Sequence, residues 1–293
     1  MTLRYAVSCG LLALSGTCLH ATELVGMVDE ACAQPLPIPA AIAQWEQALL
    51  EPGHVDRTAL RARILQDPEA QAYQKVQLAR QSRDWANLCR YRLDNRQLLA
   101  TGAAVQAVFL GDSITENWAM ADPGLFSGGW VGRGISGQTS AQMLLRFHAD
   151  VVALRPQWVH ILAGTNDVAG NGGPTTVQDF KNNIMAMVEI ARAHGIAVVL
   201  ASIPPAQRFS WRPEVSAASR ITELNAWLKA YAQEQHMRFV DYHAVLARDG
   251  GLPAEFGNDG VHPNRNGYAL MRALLQAAAG TASSSTALSR GAL

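Results

Sequence analysis

The chain has 293 residues, of which 49% are hydrophobic and 16% charged, a composition that excludes an intrinsically disordered protein and supplies a sizeable core. Lys and Arg together number 24, as do Asp and Glu, so the net charge of +0 indicates neither nucleic acid nor an anionic membrane surface as a partner. The length fits one large globular domain or two small ones.

The first residues have the pattern of a secretory signal peptide. Arg4 precedes an apolar run from Tyr5 to Leu19, and Ala21 is a possible cleavage point. The run is too short for a spanning helix. An uncleaved membrane anchor is the alternative, but the length and flanks of the run favour cleavage. Residues 1–21 are therefore predicted to be a signal peptide, and the mature protein to be periplasmic or secreted without stable membrane insertion.

The cysteines divide between this leader and the mature chain. Cys9 and Cys18 lie in the leader, where the stretch ending at Cys18 lacks the aliphatic residue of a lipoprotein cleavage box, so lipidation is a minor alternative. Cys32 and Cys89 remain, and an oxidising compartment favours a disulfide between them over two separate buried thiols. Such a bridge would close a loop of about 57 residues and stabilise the fold by roughly 4 kcal/mol.

Residues 22–100 are predicted to form a lead-in and a helical extension that packs on the main domain. The stretch 31–40 is proline-rich and indicates an extended segment. Three roles are open to the helices that follow: they shape a pocket, cover an exposed face or mediate dimerisation. Their apolar residues recur at helical spacing and include Ile42, Trp45, Leu49, Tyr73, Val76, Trp85 and Leu88.

Residues 101–279 alternate between strand and helix patterns and are predicted to form the main domain. One helix is predicted to begin at a capping box formed by Thr176 and Asp179. Such alternation predicts a five-stranded parallel sheet with helices on both faces, an α/β fold of the flavodoxin-like three-layer α/β/α type. Residues 280–293 lack periodicity and are predicted to be a mobile tail. Short apolar runs predict the strands at 105–110, 130–135, 158–163, 196–203 and 237–241.

Polar residues cluster just after the predicted strands, where ligands bind in parallel α/β sheets. Together they offer a hydroxyl, glycine amides, a carboxamide, a carboxylate and an imidazole. This set suits acyl transfer, because a Ser hydroxyl needs a neighbouring base, a carboxylate orients the imidazole, and the developing oxyanion needs donors. The polar residues form four blocks, at 111–115, 134–139, 164–167 and 259–264.

The sequences FLGDSIT, GISGQT, GTND and DGVHP of these blocks resemble those of the SGNH hydrolases, also called the GDSL esterase/lipase family. The motif GDS alone occurs by chance, but four blocks in the same order at strand ends are specific. The resemblance covers residues 105–275. It is closer to bacterial members that resemble the platelet-activating-factor acetylhydrolase catalytic subunit and carbohydrate acetylesterases, through the stretches DWANLCRYRLDN, ILAGTNDVAGN and VDYHAVL.

By position, the resemblance implies a role for each block. Ser113, which alone would be interpreted as a helix cap, is implied to be the nucleophile. His262 is implied to be the general base and then the general acid, oriented by Asp259. The oxyanion hole is implied to consist of the Ser113 N–H, the Gly137 N–H and the Asn166 side chain, with the glycine at 134 a less suitable donor.

Three other residues near these blocks, Asp112, Asp167 and Trp211, receive structural or pocket roles. Asp112 is predicted to hold the nucleophile turn by bonding loop amides, and Asp167 to play a similar part. Three tryptophans are expected in loops near the crevice: Trp118, Trp130 and Trp211. Of these, Trp211 in RFSWRP is preferred as a residue that lines the substrate pocket.

The resemblance implies a secreted serine carboxylic-ester hydrolase that forms an acyl-enzyme from short-chain esters, above all acetyl esters. Acetylated carbohydrates lead the candidate substrates, so the predicted partner is a small-molecule or carbohydrate ester. The alternatives are a lysophospholipase or thioesterase of the same family, and a carbohydrate-binding protein without chemistry. No metal-ligand spacing and no phosphate loop is evident, so neither a metal nor another cofactor is predicted.

Overall fold

A computed structural model describes residues 27, 28, 30–53 and 56–285; the predicted leader and residues 286–293 of the predicted tail lie outside this part. The five predicted strands form a single sheet. Every adjacent pair is parallel, and the order across the sheet is second, first, third, fourth and fifth strand. This confirms the predicted fold class. The strands are β1 Ala107–Gly111, β2 Trp130–Gly134, β3 Trp158–Leu162, β4 Ala197–Ala201 and β5 Arg238–Val240.

Helices follow the strands and cover the sheet. The predicted capping box begins one of them, since the Asp179 N–H donates to Thr176 Oγ1 over 3.0 Å and the Thr176 N–H donates to the Asp179 carboxylate over the same distance. The helices that follow β1 are α5 Ser113–Ala121, α6 Ser140–Asp150, α7 Thr165–Ala169, α8 Val177–Ala193, α9 Ala217–Glu234, α10 Tyr242–Leu246 and α11 Arg265–Ser285.

The last helix differs from its prediction. The sequence predicts a mobile tail from residue 280, whereas α11 continues to Ser285. The alanines before and after this boundary have the highest helix propensity, and each added residue extends an existing helix by one hydrogen bond. Periodicity is therefore not required for the last turn to form.

The core consists of two hydrophobic clusters on opposite faces of the sheet. Successive strand residues point to opposite faces, so Val108 and Leu110 join one cluster and Phe109 joins the other. The first cluster contains apolar residues of α6, α8 and α9. The second contains those of α5, α10 and α11. The sheet is thus covered on both sides, as parallel sheets require.

Two fully buried rings, those of Trp118 and His160, lie 6.2 Å apart at the second cluster. Trp118, expected in a loop near the crevice, lies in α5 and is fully buried, with its ring stacked on Tyr268 at 5.8 Å. His160 is fully buried in β3 with Nε2 2.9 Å from the Tyr242 hydroxyl. Burial lowers the pKa of His160 to about 3, so this imidazole stays neutral.

The N-terminal helices pack on the main domain. Leu50 is fully buried in the second cluster, and the Asn258 side chain donates to the carbonyl groups of Ala48 over 3.0 Å and Glu51 over 2.6 Å. The described residues from Pro35 onward form one compact unit. No helix in the described part of the chain is long and apolar enough to cross a membrane. The extension contains α1 Ala40–Leu50, α2 Arg57–Gln66, α3 Pro68–Arg83 and α4 Arg92–Thr101.

The described residues before Pro35, which are 27, 28 and 30–34, lie in a second unit. No helix or strand occurs in these described residues. The Cys32 N–H donates to Glu30 Oε1 over 3.0 Å.

The strand order determines where the site forms. β1 lies between β2 and β3, so the chain leaves the carboxyl ends of these three neighbours at one edge of the sheet. Ser113 follows β1, Gly137 follows β2 and Asn166 follows β3. The loop before α11 brings His262 to the same edge, as its contact with Ser113 shows.

Candidate active site

Ser113 begins a helix directly after β1. The strand ends at Gly111, where a Cβ atom would lie 2.0 Å from Thr115 Oγ1, so no side chain fits this sharp turn. Asp112 caps α5 by accepting a hydrogen bond from the Ile114 N–H over 2.9 Å. Ser113 is the first residue of α5, so no carbonyl of the same helix can accept a hydrogen bond from its N–H. This N–H is therefore available to an oxyanion.

His262 and Asp259 form a hydrogen-bonded chain with Ser113. The Ser113 Oγ lies 2.9 Å from His262 Nε2, and His262 Nδ1 lies 2.7 Å from Asp259 Oδ2. The other carboxylate oxygen accepts from the N–H groups of Val261 over 2.9 Å and His262 over 2.7 Å. Asp259 therefore orients the imidazole through the side chain and the backbone together.

The electrostatics of this chain keep the carboxylate ionised. Burial alone would raise the pKa of the Asp259 carboxyl, but the charge of His262 and hydrogen bonds from His262 and Val261 together lower it to about 2. A carboxylate at this place favours the imidazole tautomer with the proton on Nδ1, which leaves Nε2 free to accept the Ser113 proton.

Asn166 lies in α7 and is held at both ends of its carboxamide. Its Nδ2 donates to Asp112 Oδ2 over 3.1 Å, and its Oδ1 accepts from Asn171 Nδ2 over 2.5 Å. Asn171 Oδ1 in turn accepts from Trp211 Nε1 over 3.0 Å. The structure thus links Trp211 to the predicted oxyanion donor through Asn171, a residue that the sequence analysis missed although it ends the quoted stretch ILAGTNDVAGN.

Asp112 and Asp167 make the structural contacts expected of them. Asp112 is fully buried and joins the nucleophile turn to Asn166. Burial raises its pKa to about 6, although the hydrogen bond from the Ile114 N–H and the nearby His262 oppose this rise. Asp167 accepts from the Ser140 N–H over 2.9 Å and from the Ser140 hydroxyl over 2.5 Å, which ties α7 to the start of α6.

Gly137 lies in the loop after β2 with a φ of +80°, a conformation that favours glycine. Its two neighbours in the chain are held by side-chain hydrogen bonds: Ser136 bonds to Glu116, and Gln138 bonds to Ala86 and Arg146. Gly134, the less suitable oxyanion donor, closes β2, and a Cβ atom there would lie 2.1 Å from the Glu116 nitrogen.

The comparison with known proteins identifies the family. A profile of the GDSL-like lipase/acylhydrolase family matches residues 109–270, more than half of the chain. The protein belongs to this family. The resemblance predicted from four short blocks is thereby confirmed. Among solved structures, a GDSL-like lipase from Bacteroides thetaiotaomicron is 42% identical with a TM-score of 0.63, and the match covers 67% of this GDSL-like hydrolase and 98% of that chain.

Two curated relatives extend the comparison. Esterase TesA from Pseudomonas aeruginosa is 30% identical over 171 residues, which cover 57% of the GDSL-like hydrolase and 79% of TesA. YqeF, named an uncharacterized lipoprotein of Bacillus subtilis, is 39% identical over 75 residues. That match covers 25% of this chain and 31% of YqeF, so it spans less than a third of that relative.

The GDSL-like hydrolase is a serine ester hydrolase, as its family and the relative TesA show. The side chains of Ser113, His262 and Asp259 lie in hydrogen-bond contact, with the Asn166 carboxamide joined to the same turn through Asp112. Their individual roles stay predictions. Among the described residues, no group of three or more His, Cys, Asp or Glu side chains is arranged to hold a metal ion.

Proposed function

We propose that this hydrolase cleaves short-chain carboxylic esters, above all acetyl esters of carbohydrates, with Ser113 as the nucleophile. The observation that carries the proposal is the continuous chain from Ser113 Oγ to His262 Nε2 over 2.9 Å and from His262 Nδ1 to Asp259 Oδ2 over 2.7 Å. This is the arrangement that makes a serine hydroxyl nucleophilic.

In the proposed acylation, the Ser113 Oγ bonds to the ester carbonyl carbon while His262 Nε2 takes the hydroxyl proton. Asp259 stabilises the resulting imidazolium, because its low pKa keeps the carboxylate ionised. The carbonyl oxygen becomes an oxyanion that accepts from the Ser113 and Gly137 N–H groups and from Asn166 Nδ2. As the tetrahedral species collapses, the bond to the alcohol oxygen breaks and His262 returns the proton to that oxygen.

Deacylation repeats these steps with water. His262 takes a proton from the water, whose oxygen bonds to the acyl carbon, and then returns the proton to Ser113 Oγ as the acid leaves. Water is the only co-reactant that the two steps need in order to balance in atoms and charge. One oxyanion donor contributes about 10²–10³ in kcat in a comparable hole, which makes Asn166 a substantial part of the proposed rate enhancement.

The proposed preference for short acyl groups rests on Trp211. The residue is 41% exposed; its indole packs against Phe209 at 5.2 Å and donates to Asn171, which contacts Asn166. In this proposal the Trp211 ring, joined to the oxyanion donor Asn166 through Asn171, limits the space beside the ester carbonyl. Fixed exposed aromatic rings also suit the apolar faces of sugars, which fits a carbohydrate acetyl ester.

We further propose that the protein is exported, with residues 1–21 as the leader, residues 22–100 as the extension and residues 101–279 as the hydrolase domain. The leader pattern supports this, as does the similarity to a relative that is named a lipoprotein. N-terminal sequencing of the protein from the periplasm and medium tests it. Recovery of the uncleaved chain from the cytoplasm alone would refute the export proposal.

Replacement of Ser113 tests the central proposal. Ser113→Ala should abolish hydrolysis of p-nitrophenyl acetate while the melting temperature stays near that of the wild type. Activity that persists in this variant would contradict the nucleophile assignment. A series of p-nitrophenyl esters and a panel of acetylated sugars tests the substrate class. A rate that rises with acyl length would favour a lysophospholipase or thioesterase, and binding of sugars without hydrolysis would favour a carbohydrate-binding protein.

A further inference from the structure

The helix that carries the proposed nucleophile holds the loop after β2 by hydrogen bonds to the residue that precedes Gly137. Glu116 Oε2 accepts hydrogen bonds from the Ser136 N–H over 2.8 Å and from the Ser136 hydroxyl over 2.6 Å. Glu116 lies in the first turn of α5, three residues after Ser113. One short helix therefore presents the proposed nucleophile and also holds the residue before the proposed oxyanion donor.

The residue that follows Gly137, Gln138, is held by hydrogen bonds at both the nitrogen and the oxygen of its carboxamide. Gln138 is 2% exposed; its Nε2 donates to the Ala86 carbonyl over 2.7 Å, and its Oε1 accepts from Arg146 Nε over 2.5 Å. Arg146 is fully buried and donates through Nη2 to the carbonyl of Gly111 over 2.8 Å. Because Gly111 ends β1, the same guanidinium joins the loop to the strand that leads into the nucleophile turn.

The N-terminal extension completes these contacts through residues 84–91, here called the docking segment. Besides the Ala86 carbonyl, it supplies Arg90, whose Nη2 lies 3.1 Å from Glu116 Oε1, and Tyr91, whose hydroxyl donates to the Gly134 carbonyl. Asp84 fixes the segment itself by accepting from the backbone N–H groups of Leu88 over 2.8 Å and Cys89 over 2.9 Å.

Packing against Gly137 itself does not determine its position. A Cβ atom there would meet no other atom within 4 Å, so the space around this residue is open. The direction of its N–H is therefore determined by the backbone on either side, at Ser136 and Gln138. An oxyanion donor acts only when it points at the developing charge, and displacement by about 1 Å can cost on the order of 10²-fold in rate.

We propose that Glu116 and Gln138, supported by the docking segment, are positioning residues that direct the Gly137 N–H at the oxyanion. This inference rests on the proposed function and assigns a catalytic purpose to the N-terminal extension. These residues act through the loop and do not touch the substrate. Their loss should therefore weaken binding of the transition state with little effect on binding of the substrate.

Kinetics of Glu116 variants test the inference. Glu116→Ala should lower kcat for p-nitrophenyl acetate by about 10- to 100-fold, with KM within about twofold. Affinity for a boronic acid, which forms a tetrahedral adduct on serine, should fall in parallel. Glu116→Gln keeps an acceptor oxygen for Ser136 and should restore part of kcat. Glu223→Ala, which removes an exposed pair with Arg220 of 2.6 Å on α9, is the matched control and should leave kcat unchanged.

Two further variants keep the test decisive if Glu116→Ala does not fold. Arg90→Ala removes the ion-pair partner of Glu116. Ser136→Ala removes the hydroxyl hydrogen bond to Glu116 and keeps the one from the backbone N–H. Each variant should lower kcat severalfold at constant KM. Unchanged kcat in both would overturn the inference, as would a fall in kcat that conservative replacement does not restore. If Ser113→Ala abolishes hydrolysis while these variants stay fully active, the inference alone fails. Activity that persists in Ser113→Ala would instead overturn the proposed function and the inference with it.

Discussion

Asn171 donates a hydrogen bond through Nδ2 to Asn166 Oδ1 over 2.5 Å, on the opposite end of the carboxamide from the bond that Asn166 Nδ2 donates to Asp112. The two ends of a carboxamide have nearly the same shape, so hydrogen-bond partners select which end points where. A donor at Asn171 and an acceptor at Asp112 select the same orientation. In it the Asn166 NH₂ group faces the nucleophile turn and keeps a second N–H for the oxyanion.

Replacement of Asn171 should therefore lower turnover through Asn166. Asn171→Asp replaces the donor by an acceptor that repels Asn166 Oδ1, and kcat for p-nitrophenyl acetate should fall by at least about tenfold with little change in KM. Asn171→Ala should have a smaller effect, because it only removes the donor. Asn182→Asp, an exposed change on α8 at a residue that accepts from Gln178, serves as the control. Equal kcat in wild type and Asn171→Asp would contradict this role.

The pKa of Asp259 predicts how stability depends on pH. The pKa of about 2 in the folded state lies below the usual value of about 3.9, so ionised Asp259 stabilises the fold above pH 4. That contribution should be lost as pH falls from about 4 towards 2. The difference in unfolding free energy between the wild type and Asp259→Asn should be constant near neutral pH and shrink across this range, as measured by urea denaturation.

A matched control separates this effect from general loss of a carboxylate. Asp249→Asn removes an exposed carboxylate at a φ of +48°, a conformation that Asn also tolerates. A difference in unfolding free energy between wild type and Asp259→Asn that stays constant down to pH 2 would contradict the assigned pKa.

At neutral pH, Asp259→Asn should also reduce kcat by about 10⁴, the loss seen when the orienting carboxylate of another serine hydrolase is replaced in this way.

The alternation of strands and helices was sufficient to predict the sheet and the edge at which the site forms. Ser113, Asn166 and His262 could be located because each follows a strand or begins a helix in a short block of sequence. Trp118 was predicted to lie in a loop, although Ile114 and Trp118 are four residues apart, which is the spacing of one buried helix face. The polar residues around them made this helical spacing hard to recognise. Local patterns thus determine elements, and their packing then determines which side chains are buried.

Contacts between distant segments could not be predicted in the same way. The bond between Trp211 and Asn171 joins two loops, and the bonds that Ala86 and Arg90 make with Gln138 and Glu116 join the extension to the hydrolase domain. Each depends on how preformed elements dock, which has no periodic signature. Side chains such as Gln and Glu also occur at many surface positions, so their type alone does not distinguish a positioning role.

The predicted Cys32–Cys89 bridge can be tested by stability measurements on the mature chain. If the bridge forms, Cys32→Ser and Cys89→Ser should each lower the free energy of unfolding by roughly 4 kcal/mol, and the double variant should lose no more than either single one. Wild type should migrate faster without reductant than with it. Two single losses that add in the double variant would indicate separate thiols and refute the bridge.

Replacement of Trp211 should change the preferred acyl length. Trp211→Ala removes the ring that is proposed to limit the acyl pocket, so kcat/KM for p-nitrophenyl butyrate and octanoate should rise relative to acetate, by roughly tenfold for about two methylene groups that become accommodated. Trp211→Phe keeps a ring but loses the hydrogen bond to Asn171, and should retain the short-chain preference with a lower kcat. Leu145→Ala, at an exposed apolar residue on α6, is the control for loss of surface hydrophobicity. The same ester profile in wild type and Trp211→Ala would exclude Trp211 from the acyl pocket.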